Sequence, residues 1–138
     1  FLPHTYPQKP PLCQLVTTGN GSFRFNPNLY ACGKVCLSLL GTWSGPAWDP
    51  NVSTLLQVLV SIQSLILVPD PYFNEPGYER SMGTRQGKIS SENYNKTIKG
   101  GTISHAMCDI LQSPPPEFAE VIRNHFLLKR EAILKQSS

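Results

Sequence analysis

Four cysteines are the side chains of this sequence best suited to covalent chemistry, and they stand at Cys13, Cys32, Cys36 and Cys108. Three residues separate Cys32 from Cys36, which is not the redox Cys-x-x-Cys spacing, and no second pair completes a zinc site. A chain of 138 residues with so few cysteines is not a disulfide-rich secreted module. We therefore expect reduced thiols in a cytoplasmic or nuclear protein, with Cys13 and Cys108 buried as cysteines usually are and Cys32 exposed.

Three histidines leave a thiol hydrolase open as one interpretation, because that chemistry needs a cysteine activated by a base. They are His4, His105 and His125. No protease signature surrounds Cys36, however, and the chain is short for that class. The thiol hydrolase is therefore the least favoured of the functions considered.

Residues 25–40 carry a motif that selects one of the four thiols. They read Phe-Asn-Pro-Asn-Leu-Tyr-Ala-Cys-Gly-Lys-Val-Cys-Leu-Ser-Leu-Leu, with Asn28 eight residues before Cys36. This resembles the active-site segment of ubiquitin-conjugating enzymes, His-Pro-Asn followed by Gly-x-(Ile/Val)-Cys-Leu. The resemblance implies that Cys36 carries ubiquitin as a thioester. It also implies that Asn28 either donates its amide to the oxyanion or holds the loop in shape.

Other segments extend the resemblance over most of the chain, in the family's order: 6–11 (Tyr-Pro-x-x-Pro-Pro), 48–50, 55–67 and 69–71. The insert 41–45 and the segment 71–80 are similar to the conjugating domains of very large hybrids of conjugating enzyme and ligase, the giant inhibitor-of-apoptosis branch. By the same resemblance, the partner-binding loops hold Gln8, Trp48, Asp49 and Pro50.

Two positions depart from the family pattern. Asn26 stands in place of the family's histidine, which should affect loop packing, and Ser38 replaces an acid often found two residues after the cysteine. A free lysine is only about one part in a few thousand neutral at pH 7, so a nearby acid or desolvation should assist it. The candidates for this acceptor-lysine gate are Asp70, Asn74 and Glu75. The departures also keep open an inactive variant that binds ubiquitin or a ligase without being charged.

The fold expected to position these residues is α+β, of the ubiquitin-conjugating type, in a single domain over 1–138. It comprises a small antiparallel meander sheet, a long central helix and two C-terminal helices. Residues 12–17 are typical of a strand before a tight turn at 19–21. The sequence begins where the third strand of that fold would lie, so we expect the N-terminal helix and first strands to be absent.

Helical periodicity predicts the three helices. The central one is expected over 52–68, with Asp49 as N-cap and most of its circumference buried. A long loop over 69–90 precedes a helix over 92–112 that Gly100 and Gly101 should weaken or bend. The last helix is expected over 117–135.

Composition bounds the partners. The net charge of +3 comes without any block of Lys or Arg, so a nucleic-acid surface is not indicated. The most apolar stretch, 52–68, is shorter than the roughly 20 residues of a membrane helix, so no membrane partner is expected. The resemblance implies ubiquitin, a ubiquitin-activating enzyme and substrate lysines as partners, with transfer alone or with a ligase. It implies no bound cofactor or metal, with ATP used only by the activating enzyme.

Overall fold

A computed structural model describes residues 1–137, whose regular structure consists of helices and tight turns. The α-helices are α1 (Leu55–Ser61), α2 (Arg85–Gly101), α3 (Ile110–Gln112) and α4 (Ala119–Ser137). π-Helical segments follow α1 at Ile62–Ile66 and join α2 to α3 at Thr102–Asp109. The 3-10 turns are Ser38–Leu40, Pro71–Asn74, Tyr78–Ser81 and Pro116–Phe118. Among these residues, no helix has the length and apolar character needed to cross a bilayer.

The predicted meander sheet is not confirmed in residues 1–137, where pairing is limited to the isolated antiparallel bridges Gln14–Lys34, Asn26–Leu29 and Leu29–Val35. The predicted strand over 12–17 adds two backbone bonds, from Leu12 N to Phe1 O and from Leu15 N to Gly33 O, both at 2.9 Å. A ladder needs consecutive unpaired N–H and C=O groups, and Pro27 supplies no N–H. Gly33, with φ of +87°, turns the chain directly after its contact with Leu15. The pairing therefore stops after one bridge at each place.

The tight turn predicted at 19–21 is confirmed. The N–H of Ser22 donates to the carbonyl of Thr18 at 3.1 Å, which closes the turn. Gly19 and Asn20 both have left-handed backbone angles, with φ of +57° and +54°. Glycine and asparagine are the residue types that adopt these angles most readily, so the local sequence is sufficient to specify this turn.

The core joins the turn-rich N-terminal half to the helices. Its buried side chains are Phe25, Leu29, Val35 and Ile66, and partly buried Ile98 and Ala106 pack against them from the second half of the chain. Ile66 lies at the end of the π-helical segment after α1. The core therefore fixes the end of the central helix against residues 25–35, the part of the cysteine motif that precedes Cys36.

The central helix begins later than predicted, at Leu55, and its N-cap is Thr54. The Thr54 hydroxyl accepts from Gln57 N at 3.2 Å, and the Gln57 side chain accepts from Thr54 N at 2.8 Å. This reciprocal capping box satisfies two N–H groups at the helix start. Asp49 instead closes a separate turn, in which its carbonyl accepts from Ser53 N at 2.8 Å. The prediction of Asp49 as N-cap is therefore wrong.

The prediction that most of this helix is buried is also wrong. Val58 and Ile66 are fully buried, whereas Leu56 is 68% exposed and Leu59 54% exposed. Apolar periodicity shows which side chains can be buried but not how much protein is available to cover them. Only one side of the helix packs on the core, so its other apolar side chains face solvent.

The second long helix also differs from its predicted limits. It begins at Arg85, where the Thr84 hydroxyl accepts from Gly87 N at 3.0 Å, so the preceding loop is shorter than predicted and contains two 3-10 turns. Gly101 is the last residue of α2, and an added Cβ there would overlap the ring of Phe23, so glycine allows that ring to lie on the helix backbone. The helix changes to π-helical geometry at the next residue. The last helix is confirmed, as Ala119–Ser137.

Candidate active site

The structure brings the predicted pair Asn28 and Cys36 together. Cys36 N donates to the backbone carbonyl of Asn28 at 2.8 Å, and Asn28 Nδ2 donates to the carbonyl of Cys36 at 3.0 Å. Asn28 is buried, and its Oδ1 has no hydrogen-bond partner among the described residues. Of the two roles expected for the Asn28 amide, this geometry corresponds to holding the loop, because Nδ2 is occupied by a backbone carbonyl.

The thiol of Cys36 is less accessible than a thiol that is to carry an acyl group needs to be. Cys36 is 1% exposed and lies beside a groove of about 280 Å³ bordered by Trp43, Ser44, Leu65 and Asn74. The insert that follows the motif folds back over it. An added Cβ at Gly45 would lie 3.0 Å from Ser38 Cβ, so these two parts of the chain are in close contact. Cys36 lines this groove but is itself almost fully shielded from solvent.

Asn26, which replaces the family's histidine, ties the cysteine motif to the central helix. Its Nδ2 donates to the carbonyl of Ile66 at 2.8 Å, and its Oδ1 accepts from Asn28 N at 2.8 Å. The residue is 3% exposed, so both bonds are shielded from water. The expected effect on loop packing is consistent with these bonds, which place Asn28 relative to the end of the helix.

Asn74 is the gate candidate that lies beside Cys36. It lines the groove, and its Nδ2 donates to the carbonyl of Leu65 at 2.9 Å. That bond fixes the 3-10 turn Pro71–Asn74 against the central helix. The amide Oδ1 of Asn74 is the atom that can accept a hydrogen bond from a group entering the groove.

The two acidic gate candidates are engaged with other residues. Asp70 Oδ1 accepts from Ser91 Oγ at 2.7 Å, which attaches the turn to α2. Glu75 Oε2 lies 3.4 Å from Arg24 Nη2 in a half-exposed ion pair. Among the described residues, neither of these two carboxylates borders the groove beside Cys36.

Arg24 is a contributor to this site that the sequence interpretation missed. Its guanidinium donates to the carbonyl of Pro27 at 2.7 Å and to that of Asn26 at 3.2 Å, and it lies 4.3 Å from the ring centroid of Tyr30. Together with the ion pair to Glu75, these contacts join the motif loop to the turn after the central helix. The sequence motif does not indicate this role, because two of the arginine's partners are backbone carbonyls and Glu75 is 51 positions away in the chain.

The predicted partner-binding loops form one continuous surface. Trp48 Nε1 donates to the carbonyl of Pro7 at 2.6 Å, and the Tyr6 and Trp48 rings are 5.8 Å apart. The remaining residues of this set, Gln8, Asp49 and Pro50, are exposed. Trp48 therefore packs the two loops together, which leaves the polar residues around it accessible.

The four thiols are free and differ in exposure. Cys32 is exposed as predicted, and Cys13 is half-buried. Cys108 is exposed, so the prediction that it is buried is wrong: the helical pattern of 92–112 did not reveal which side of this π-helical segment faces solvent. Burial raises the pKa of the Cys13 thiol above its ordinary value, which the positive α-amino group opposes in part.

Alkylation with iodoacetamide at pH 7.5 should follow this order. We expect Cys32 and Cys108 to react fastest, Cys13 several-fold more slowly because a raised pKa leaves less thiolate, and Cys36 about ten-fold more slowly than Cys32 because reagent must reach a buried sulfur. Mass spectrometry of tryptic peptides over a time course measures each rate. Equal rates for Cys36 and Cys32 would contradict the burial of the motif thiol.

The histidines do not supply a base for Cys36. His105 Nδ1 lies 2.8 Å from Asp109 Oδ2, its ring centroid is 5.5 Å from that of Phe23, and His125 packs on Phe126. No histidine borders the groove beside Cys36 in the described part of the chain. Nor does any cluster of three or more metal-ligating side chains occur within residues 1–137.

This arrangement defines the class of site. A thiol that is held through its backbone, with no histidine bordering its groove in the described chain, is compatible with an acyl carrier, in which the thioester itself supplies the reactivity. It is not the arrangement of a cysteine hydrolase, which needs a base within hydrogen-bond reach of the sulfur.

Comparison with known proteins identifies the family. The family model described as ubiquitin-conjugating enzyme matches residues 1–102. The chain is 55% identical to the human dual E2 ubiquitin-conjugating enzyme/E3 ubiquitin-protein ligase BIRC6, over 99% of this chain and 3% of that protein. It is also 55% identical to the probable ubiquitin-conjugating enzyme protein 17 of Caenorhabditis elegans, over 99% of this chain and 19% of that protein. The chain belongs to the ubiquitin-conjugating enzyme family.

A plant relative extends this pattern. The probable ubiquitin-conjugating enzyme E2 25 of Arabidopsis thaliana is 49% identical over 98% of this chain and 22% of its own length. The chain thus spans less than a quarter of each of these relatives. The similarity to BIRC6 over nearly the whole chain confirms the resemblance to the hybrid branch.

Proposed function

We propose that the chain accepts ubiquitin from a ubiquitin-activating enzyme as a thioester on Cys36 and transfers it to a substrate lysine. The observation that carries this proposal is the reciprocal bonding of Asn28 and Cys36 at the spacing of the family motif. Family membership supports the reaction class. The sequence resemblance supports the assignment of Cys36 as the carrier among the four thiols.

Two acyl transfers make up the reaction. The Cys36 thiolate attacks the ubiquitin C-terminal carbonyl held on the activating enzyme, whose own thiol leaves. A lysine amine then attacks the new thioester, the Cys36 thiolate leaves, and the amine loses one proton as the isopeptide bond forms. ATP is consumed only in the preceding activation of ubiquitin, so this chain needs no bound cofactor for either transfer.

The lysine enters through the groove beside Cys36. Asn74 borders this groove and can accept a hydrogen bond from the amine, which helps to orient it. Asp70 and Glu75 act on the lysine only indirectly, because their carboxylates are bonded to Ser91 and Arg24. Their bonds stabilise the turn that carries Asn74 rather than removing the proton directly.

The partner surface follows from the joined loops around Trp48. Gln8, Asp49 and Pro50 are exposed beside the bond from Trp48 to Pro7, and we assign this surface to the activating enzyme or a ligase. A cytoplasmic or nuclear location agrees with the four free thiols. We also propose that the whole protein transfers ubiquitin to lysines of substrate proteins, alone or with a ligase.

One observation favours a second function, an inactive variant that binds ubiquitin or a ligase. The 1% exposure of Cys36 is what a structural cysteine would have. The presence of the thiol at the motif position favours the carrier instead, because a binding module has no need of it.

A charging assay separates the two functions. The chain is incubated with activating enzyme, Mg-ATP and ubiquitin, and then resolved by electrophoresis with and without reductant. The carrier predicts a band larger by one ubiquitin that reductant removes, present in wild type and Cys32→Ala and absent from Cys36→Ala. A chain that binds ubiquitin but forms no such band would be the inactive variant.

A further inference from the structure

Asn28 and Thr42 together bond all four polar backbone groups that flank the Cα of Cys36. Asn28 bonds the N–H and the C=O of Cys36 itself, at 2.8 Å and 3.0 Å. Thr42 bonds the remaining polar group of each of the two peptide units, which are Val35 C=O and Leu37 N–H. Its hydroxyl donates to Val35 O at 2.7 Å and accepts from Leu37 N at 2.9 Å. The two peptide planes on either side of the thiol are therefore each held from both sides.

A hydroxyl is suited to this double role. It has one hydrogen to donate and lone pairs to accept with, so a single atom of Thr42 can bond a carbonyl and an N–H at once. The hydroxyl also lies 3.2 Å from Leu37 O, and the Thr42 N–H donates to the same carbonyl at 3.3 Å. Thr42 is partly buried, which limits replacement of these bonds by water.

The bonds to Thr42 bear on the direction of the thiol. Peptide groups are planar, so fixing both planes beside a Cα fixes the direction of its Cα–Cβ bond. If the Thr42 hydroxyl were missing, Asn28 would still bond Cys36, but Val35 O and Leu37 N would lose their bonds to that hydroxyl. The two peptide planes would then be free to rotate about the bonds to Asn28. Thr42 lies in the insert 41–45, so the insert takes part in holding the thiol.

We propose that Thr42 is a positioning residue for Cys36, the counterpart of Asn28 on the other side of the motif segment. The expected effect of Thr42 on ubiquitin transfer rests on the proposed function. Its expected effect on the position and exposure of the Cys36 thiol does not. Thr42 acts through the backbone of residues 35–37 and does not touch the ubiquitin carbonyl. Without its hydroxyl, the sulfur is held less firmly in the geometry that attack and departure require.

The first test compares Thr42→Val, which keeps the shape and removes the hydroxyl, with Thr42→Ser, which keeps the hydroxyl. Discharge of preformed thioester to free lysine is followed under single-turnover conditions at several lysine concentrations. We expect Thr42→Val to lower the maximal rate about ten-fold with little change in the lysine concentration at half-maximal rate. Thr42→Ser should retain the rate within about three-fold, since its hydroxyl can make the same bonds.

Thr97→Val is the matched control. Thr97 lies on α2, and within the described part of the chain its hydroxyl donates to Asn93 O of the same helix, at 3.3 Å. The same substitution there should leave discharge unchanged. A loss with Thr97→Val as large as with Thr42→Val would show a general cost of removing threonine hydroxyls and would overturn the proposal.

The second test needs no ubiquitin. Tryptic peptide 35–80 contains Cys36 and no other cysteine, so its alkylation by iodoacetamide reports this thiol alone. We expect Thr42→Val to raise the alkylation rate of Cys36 about ten-fold, because a loosened segment exposes the buried sulfur more often. Thr42→Ser and Thr97→Val should match wild type.

The outcomes are distinguishable. A folded Thr42→Val with wild-type discharge and alkylation, or a Thr42→Ser as impaired as Thr42→Val, would overturn the positioning role. If Thr42→Val loses its helical circular dichroism, Thr42→Ser decides: retained rates support the role and a ten-fold loss overturns it. A wild type that forms no thioester contradicts the proposed function alone, and the alkylation comparison then still supports or overturns the role of Thr42.

Discussion

Replacing Cys36 by serine is expected to exchange a reducible ubiquitin adduct for one that survives reductant. Serine places an oxygen where the sulfur stood, and the resulting oxygen ester is not cleaved by thiol exchange. The serine hydroxyl is also a far weaker nucleophile than a thiol at neutral pH, so we expect charging to fall by about 100-fold or more. Electrophoresis of a long incubation, with and without reductant, measures both effects.

Cys32→Ser is the matched control for this substitution. Cys32 lies four positions earlier in the same motif segment but is exposed. Its replacement should leave a fully reducible adduct that forms at the wild-type rate. If Cys36→Ser still formed a reducible adduct, another cysteine would be the carrier and the assignment of Cys36 would be wrong.

Removing the Asn28 side chain should slow discharge to lysine more than it slows charging. We expect Asn28→Ala to reduce discharge about 100-fold, the size of effect seen when an oxyanion donor is removed, and charging less than about ten-fold. In the structure, Asn28 Nδ2 is bonded to the Cys36 carbonyl, so the amide must turn from this bond to reach an oxyanion. Separate single-turnover measurements of the two steps provide the comparison.

Asn26→Ala tests whether the slower discharge of Asn28→Ala results from a disturbed loop structure. Asn26 bonds Asn28 N and Ile66 O, so its loss should weaken the loop and slow both steps to a similar extent. Asn93→Ala, at an exposed position of α2, should change neither step. If Asn28→Ala reduces charging and discharge equally, as Asn26→Ala does, then Asn28 only holds the loop.

The central helix illustrates where local sequence is insufficient. Its existence and its apolar pattern were predicted, but its start was not, because Asp49 and Thr54 both precede plausible helices. The reciprocal bonds with Gln57 select Thr54. The exposure of Leu56 and Leu59 was also missed, since burial depends on what packs against a side and not on its apolar character.

The sequence by itself predicted Cys36 as the carrier thiol and Asn28 as its partner, through the resemblance of one short motif, and it fixed their spacing of eight positions. It also determined the turn at 19–21, where glycine and asparagine suit the left-handed angles. Only the tertiary structure decided the burial of Cys36 and the contacts of Arg24 and Thr42. Their partners are mostly backbone carbonyls and N–H groups, which every residue carries, so only folding reveals which of them a given side chain can reach.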